Sequence, residues 1–174
     1  MKYALVLSIV LAAAAPAWAD DSLNGLSPEG LGDLKIGTAV DKVEAHLNEK
    51  LGYNQYENRG CSVLTTKKLE PTGISVVIDS KVLTRINVDY FGKSPLPQTI
   101  KTDKGIGLGS SEEDVSKAYP GARVKPNPGD PSWHTIIVET PDHAKGIVFE
   151  TDGKTVKSMR AGTYSAIAFA DACS

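Results

Sequence analysis

The chain is poor in the side chains on which most bond-making chemistry and nucleic-acid recognition depend. Its 174 residues include three histidines, two cysteines and two tryptophans, and aromatic residues make up 6%. His46, His134 and His143 fall in no His-x-x-x-His, His-Glu-x-x-His or mixed Cys/His spacing, so no metal site is expected, and no other cofactor. Cys-x-x-Cys is missing, which removes the usual redox-active dithiol. No Gly-x-Ser-x-Gly elbow occurs. Gly105-Ile106-Gly107-Leu108-Gly109-Ser110 has the wrong spacing for a dinucleotide loop and lacks the lysine of a phosphate loop, so it reads as a turn. Basic residues are scattered, with Lys67-Lys68 the one adjacent pair, and the formal charge is −2. Such a chain carries no electrostatic footprint for nucleic acid or anionic lipid.

Long apolar runs are also scarce, with one exception at the start. Lys2 followed by Tyr3 to Ala15 and Ala17-Trp18-Ala19 has the charged, apolar and small-x-small regions of a secretory signal peptide, with cleavage expected after Ala19. Its apolar stretch is shorter than the roughly 20 residues of a membrane span. The expectation is an exported protein, periplasmic or secreted, with no membrane anchor once the leader is removed. No lipid-attachment cysteine or prenylation motif is present. Cys61 and Cys173 then meet an oxidising compartment, where an even count favours a disulfide. Closing so long a loop would contribute on the order of 4 kcal/mol in the chain-entropy account. Two free thiols are the alternative, although no histidine lies close in sequence to either cysteine.

Beyond the leader, the chain reads as one unit written twice. Ile36-Gly37-Thr38-Ala39-Val40-Asp41-Lys42-Val43 lines up with Leu108-Gly109-Ser110-Ser111-Glu112-Glu113-Asp114-Val115, and Lys81 to Ile86 with Lys154 to Met159. Each opening resembles a capping box, with Thr38 or Ser110 as the cap and Asp41 or Glu113 near the positive helix end. The first helix would bury Val40, Val43, Leu47 and Leu51, and the second Val115, Ala118 and Tyr119 before Pro120-Gly121 stops it. Strands are expected at Cys61–Thr66, Ile74–Ile78 and Val82–Tyr90, then at Trp133–Glu139, Gly146–Glu150 and Thr155–Ala161. Tight turns fall at Asp79-Ser80-Lys81 and Thr151-Asp152-Gly153. Val156 and Met159 are one step out of alternation, which marks a bulge. Tyr164 to Phe169 reads as a closing strand.

These elements predict an α+β protein: a signal peptide over residues 1–19, a first repeat over 20–92, a Pro-rich linker over 93–100 and a second repeat over 101–174. Two tandem helix-plus-antiparallel-sheet units would stand side by side, with the helices on one face of the sheet and the other face open for binding.

The apolar-Gly-hydroxyl-x-x-acid-x-Val openings, the strands behind them and the leader resemble the tandem-repeat superfamily typified by the β-lactamase inhibitor protein. They are also similar to the single-copy envelope assembly lipoproteins of the small-protein-A type. The resemblance implies an extracytoplasmic, non-enzymatic binder of another protein, either an inhibitor of a secreted or periplasmic enzyme or an envelope assembly factor. A small hydrolase using dispersed acids is the third reading. Two departures accompany the resemblance. The inhibitor staples within each repeat, whereas Cys61 and Cys173 would join the first repeat to the far terminus, and the lipoproteins' anchoring cysteine is missing.

Candidate partner-binding residues lie in the two connections between helix and strand. Tyr53, Tyr56 and Arg59 stand in the first; Trp133 and His134 follow the Pro-rich segment Pro126–Pro131 in the second. Tyr and Arg, with neighbouring Asn, suit partner contacts at low entropic cost, and ordinary surface loops would look the same. Alternation would put Trp133 and His134 on opposite faces, one packed and one in solvent. Trp133 suits core or strand-edge packing as well as a binding anchor.

Overall fold

The computed structural model describes residue 23, residues 25–89 and residues 100–173, with backbone alone for 53–57. The leader and the Pro-rich part of the linker lie outside the described residues. The fold is α+β and mostly β. Three two-residue strands, β1 (Leu26–Ser27), β2 (Gly30–Leu31) and β3 (Leu34–Lys35), form a small antiparallel sheet that leads into helix α1 (Val40–Leu47). Four strands follow: β4 (Tyr53–Asn58), β5 (Cys61–Thr65), β6 (Ile74–Asp79) and β7 (Val82–Asp89). Helix α2 (Glu112–Ala118) precedes β8 (Arg123–Pro126), β9 (His134–Glu139), β10 (Lys145–Thr151) and β11 (Val156–Thr163), and the chain closes with a short helix, α3 (Tyr164–Ile167).

Strands β4 to β11 make a single antiparallel sheet in the order β4-β5-β6-β7-β11-β10-β9-β8. Its seam is the pairing of β7 with β11, where Arg85 to Asp89 meet Gly162 to Ser158. One face carries the core. Val76, Ile78, Leu83, Ile86 and Val88 from the first group and Ile136, Ile147, Phe149, Val156 and Met159 from the second are buried there. Against them pack Val43 and Leu47 of α1, Val115 of α2, and Leu26, Leu31 and Leu34 of the small sheet. Each such side chain removed from water contributes about 1.5–3 kcal/mol before chain entropy is subtracted.

The predicted inner faces of both helices hold: Val43, Leu47, Val115 and Tyr119 are buried, while Val40, Leu51 and Ala118 pack at the margin. The caps are displaced by one residue. Ala39 is the N-cap of α1 and offers no side-chain acceptor, so Thr38 does not cap. In α2 the cap is Ser111, not Ser110: its hydroxyl accepts from Asp114 N–H at 3.1 Å, and the Asp114 carboxylate accepts from Ser111 N–H at 3.3 Å. The Ser110 hydroxyl instead accepts from Gly107 N–H at 3.0 Å, closing the preceding turn.

The tight turn at Asp79-Ser80-Lys81 forms, whereas the hairpin at Thr151-Asp152-Gly153 is wider, with residues 152–155 between the paired Thr151 and Val156. Ser80 and Lys81 take positive φ, as a two-residue hairpin of the right twist requires, although neither is glycine. The expected bulge lies where Thr151 pairs with Val156 and Glu150 with Ser158, leaving Lys157 as the extra residue. Three readings are corrected. The segments around Tyr53–Asn58 and Arg123–Pro126 are not loops but the two edge strands. Ile100, assigned to the linker, is buried in the core. Tyr164–Phe169 is not a strand: β11 ends at Thr163, and the chain turns into α3.

That turn changes the second face of the sheet. The expected bridge is formed, with Cys61 and Cys173 joined and their Cα atoms 5.5 Å apart. It suggests an oxidising, extracytoplasmic setting. Among the described residues no helix is long and apolar enough to cross a membrane.

Candidate recognition face

The second face mixes charged residues with the buried Val77 and Val148, because alternation on the central strands turns every other residue away from the core. Along β7 these are Arg85, Asn87 and Asp89, and directly across the seam lie Gly162, Arg160 and Ser158. Their neighbours on β10 are Gly146, Val148 and Glu150. Arg85 and Arg160 are 5% and 6% exposed, so both cations need partners. They find them in the C-terminal segment. Arg85 Nη1 donates to the carbonyls of Ala166 and Phe169, each at 3.0 Å, and Nη2 to Ala170 at 3.1 Å. Arg160 Nε donates to Ile167 O at 2.8 Å, while Nη2 lies 2.9 Å from Glu150 Oε1. Asn58 Nδ2 donates to Cys173 O at 3.1 Å.

Residues 164–173 therefore form a strap across the centre of this face, pinned by two buried arginines and a disulfide. Burial and the adjacent Arg160 cation bring Arg85 down to about 10, so it stays charged at neutral pH. Burial pushes the Asp89 carboxyl up, against the pull of Arg85 and Arg160. The expectation of a wholly open second face is thus corrected: its middle is covered.

The face stays open over β8 and β9. In register there are Arg123 beside Ile137 and Lys125 beside Thr135, with Glu139 next along β9. Alternation from His134 puts Trp133 on this same side. Trp133 is 37% exposed, Ile137 is half-buried, and Arg123 and Lys125 are exposed. An open cleft of about 270 Å³ lies between Arg123, Ile137, Glu139, Pro141 and His143. Glu139 forms an ion pair with Arg123, and its carboxylate lies 2.5 Å from His143 Nδ1. The approach to Trp133 is stiffened by side-chain turns, Asn127 accepting from Gly129 N–H at 2.8 Å and Asp130 from Ser132 N–H at 3.0 Å.

No protein-family model, curated protein or solved structure matches the chain.

The sequence-selected residues are not brought into one place. Tyr53 and Tyr56 stand on β4, and Arg59 is exposed in the turn to β5. Trp133 and His134 stand at the start of β9, six strand positions away, on the order of 30 Å across the sheet. His134 belongs to the core side. Its Nδ1 lies 2.8 and 3.0 Å from the two carboxylate oxygens of Glu112, which also accepts from the Thr151 hydroxyl. Glu112 opens α2, where a carboxylate is favoured by the helix dipole, so His134 braces the helix against the sheet. Both members of the pair meet solvent in part, the His134 side chain 33% exposed and Trp133 37%.

Arg123, Ile137, Glu139, Arg85 and Arg160 were not singled out from the sequence. A signal existed for the last two: Arg85-Ile86-Asn87-Val88-Asp89 alternates charged or polar with apolar, which marks a sheet with a polar second face. Nothing local announces the carbonyls that meet those charges.

Proposed function

We propose that this protein is an exported, non-catalytic binding module that recognises another extracytoplasmic protein through the open β8–β9 part of its second sheet face. The observation that carries the reading is the composition of that surface: a half-exposed Trp133 at one end, then Lys125 beside Thr135, then Arg123 beside Ile137, with Glu139 and His143 beyond. Trp and Arg beside an aliphatic residue are the side chains enriched where binding energy concentrates. A widely exposed sheet surface with an open cleft suits a protein partner better than a small enclosed ligand. The nearby acids are engaged in local structure: Glu112 braces α2, Asp114 completes a cap, Asp130 fixes a turn, and Asp152 accepts from Lys154 and Thr155 N–H.

The proposal includes duplication, and backbone bonding supports it. Gly37 N–H donates to Leu83 O at 2.8 Å, and Gly109 N–H to Val156 O at 2.8 Å. Leu83 N–H donates to Thr38 O and Val156 N–H to Ser110 O, both at 2.9 Å. Bridges Ala39–Val82 and Ser111–Thr155 occupy matching places. The extra residue of each bulge, Thr84 and Lys157, falls at the same place in the aligned segments. This is the arrangement implied by the resemblance to the tandem-repeat inhibitor superfamily, and inhibition of a secreted or periplasmic enzyme is the role proposed first. An envelope assembly role is the second reading.

Affinity capture from the envelope and secreted fractions of the native source, with wild type and Trp133→Ala in parallel, tests the proposal. A soluble protein captured stoichiometrically by wild type and lost with Trp133→Ala is expected. Recovery of integral membrane proteins would favour the assembly role. Capture unaffected by Trp133→Ala and by Arg123→Ala would remove the β8–β9 surface from the account.

A further inference from the structure

We infer that residues 164–173 are a redox-released strap: the Cys61–Cys173 bridge holds the segment over the centre of the second sheet face, and its reduction frees the segment while the sheet stays folded. The inference stands on how unevenly the strap is held. Of its ten residues only Ile167 and Cys173 are buried, and most of the others are exposed, including Phe169. Ile167 seats against Gly146, where a Cβ would come within 3.0 Å of Ile167 Cδ1. One buried aliphatic side chain and a few hydrogen bonds must offset the ordering of ten residues, a near balance that a covalent tie can decide.

The floor beneath is suited to being uncovered. Arg85 and Arg160 can take water in place of the strap's carbonyls, and the buried Val77 and Val148 beside them are few compared with the apolar core on the other face, which could not be exposed so cheaply. Arg85 retains Asn87 Oδ1 at 2.5 Å and Arg160 retains Glu150, so neither cation is abandoned when the strap leaves. Both arginines stand on the central strands, whose pairing involves no residue of the strap.

Chemically, a dithiol supplies the electrons. One of its thiolates attacks Sγ of the half-buried Cys61, and Cys173 leaves as a thiolate that takes up a proton. The second thiol closes on the mixed disulfide, releasing Cys61 as a thiol and the reagent as its own disulfide. Two electrons and two protons are transferred. That release enlarges the surface open to a partner rests on the binding role proposed above; release itself is read without any partner.

The test is hydrogen exchange by mass spectrometry on the full mature chain, oxidised and after dithiothreitol, with two free thiols verified by titration. Peptides covering residues 164–173 should exchange at least about tenfold faster after reduction, while those of β6, β7, β10 and β11 keep their protection. If the reagent does not reach the bridge, the double variant Cys61→Ser, Cys173→Ser supplies the opened state for the same comparison. Unchanged protection of the strap in the opened state would overturn the inference, as would loss of protection throughout the sheet. In the oxidised protein Arg85→Gln should leave the strap tethered but exchanging faster; no change there would also count against the arginine clasp.

Discussion

Phe149 shows how much one side chain carries in a chain with few aromatics. It is fully buried on β10, its ring centroid 5.6 Å from that of Tyr119, so it joins the sheet to the end of α2. Phe149→Ala should cost about 3–5 kcal/mol, read from the midpoint of denaturant unfolding at unchanged slope. A loss below about 1 kcal/mol would mean that the site collapses or is not packed as described. The periodicity that makes Phe149 an inward residue is visible in Ile147-Val148-Phe149. Its contact with Tyr119 is not, since no sequence pattern reports which residues of a helix end meet which strand.

At the level of elements, the two helices are closed differently. Ser111 and Asp114 reciprocally satisfy backbone donors at the start of α2, while α1 begins at Ala39 without that help. Ser111→Ala should therefore lower stability by about 1 kcal/mol, measured by thermal or urea unfolding. The neighbouring Ser110→Ala serves as the contrast, since its hydroxyl closes a turn instead of capping the helix. Equal effects would show that the cap assignment is wrong. The hydroxyl-x-x-acid pattern was legible in the chain, but two adjacent serines left its frame open, and the geometry of the bridge between Ser111 and Thr155 sets it. The edge strands escaped sequence reading for a related reason. Arg123-Val124-Lys125-Pro126 is exposed at every position, so it lacks the alternation that reveals half-buried strands, and lysine and proline suit an unpaired edge.

Over the whole molecule, acid should weaken the fold in a defined direction. Hydrogen bonds from Ser111, Ser132 and Thr140 hold Asp114, Asp130 and Asp142 below the usual carboxylate range, as the Lys50 ammonium does for Glu44. Their folded values lie under their unfolded ones, so the stabilisation is complete above the ordinary carboxylate range and is lost as pH falls through the lowered folded values. Asp89 runs the other way: burial raises it, so its contribution is present at low pH and fades as pH climbs through its folded value. With more groups depressed than raised, the melting temperature should drop on acidification below the carboxylate range. Thermal melts across a pH series check this, and a melting temperature that holds constant would mean these bonds are not made in solution.

The sequence by itself determined the local grammar: that two helices form and which side of each turns inward, which strand positions face inward, and where the hairpin at Ser80-Lys81 turns. These follow from short-range sterics and from alternation, which act over a few residues. Tertiary structure alone decided that β7 and β11 meet to make the sheet continuous, that Tyr53 and Trp133 stand at opposite ends of it, and that the last ten residues fold back on Arg85 and Arg160. The physical reason is separation along the chain. The Arg85 contacts join groups 81 to 85 residues apart through carbonyls that every residue carries, so only the folded backbone could say which ones that arginine would reach.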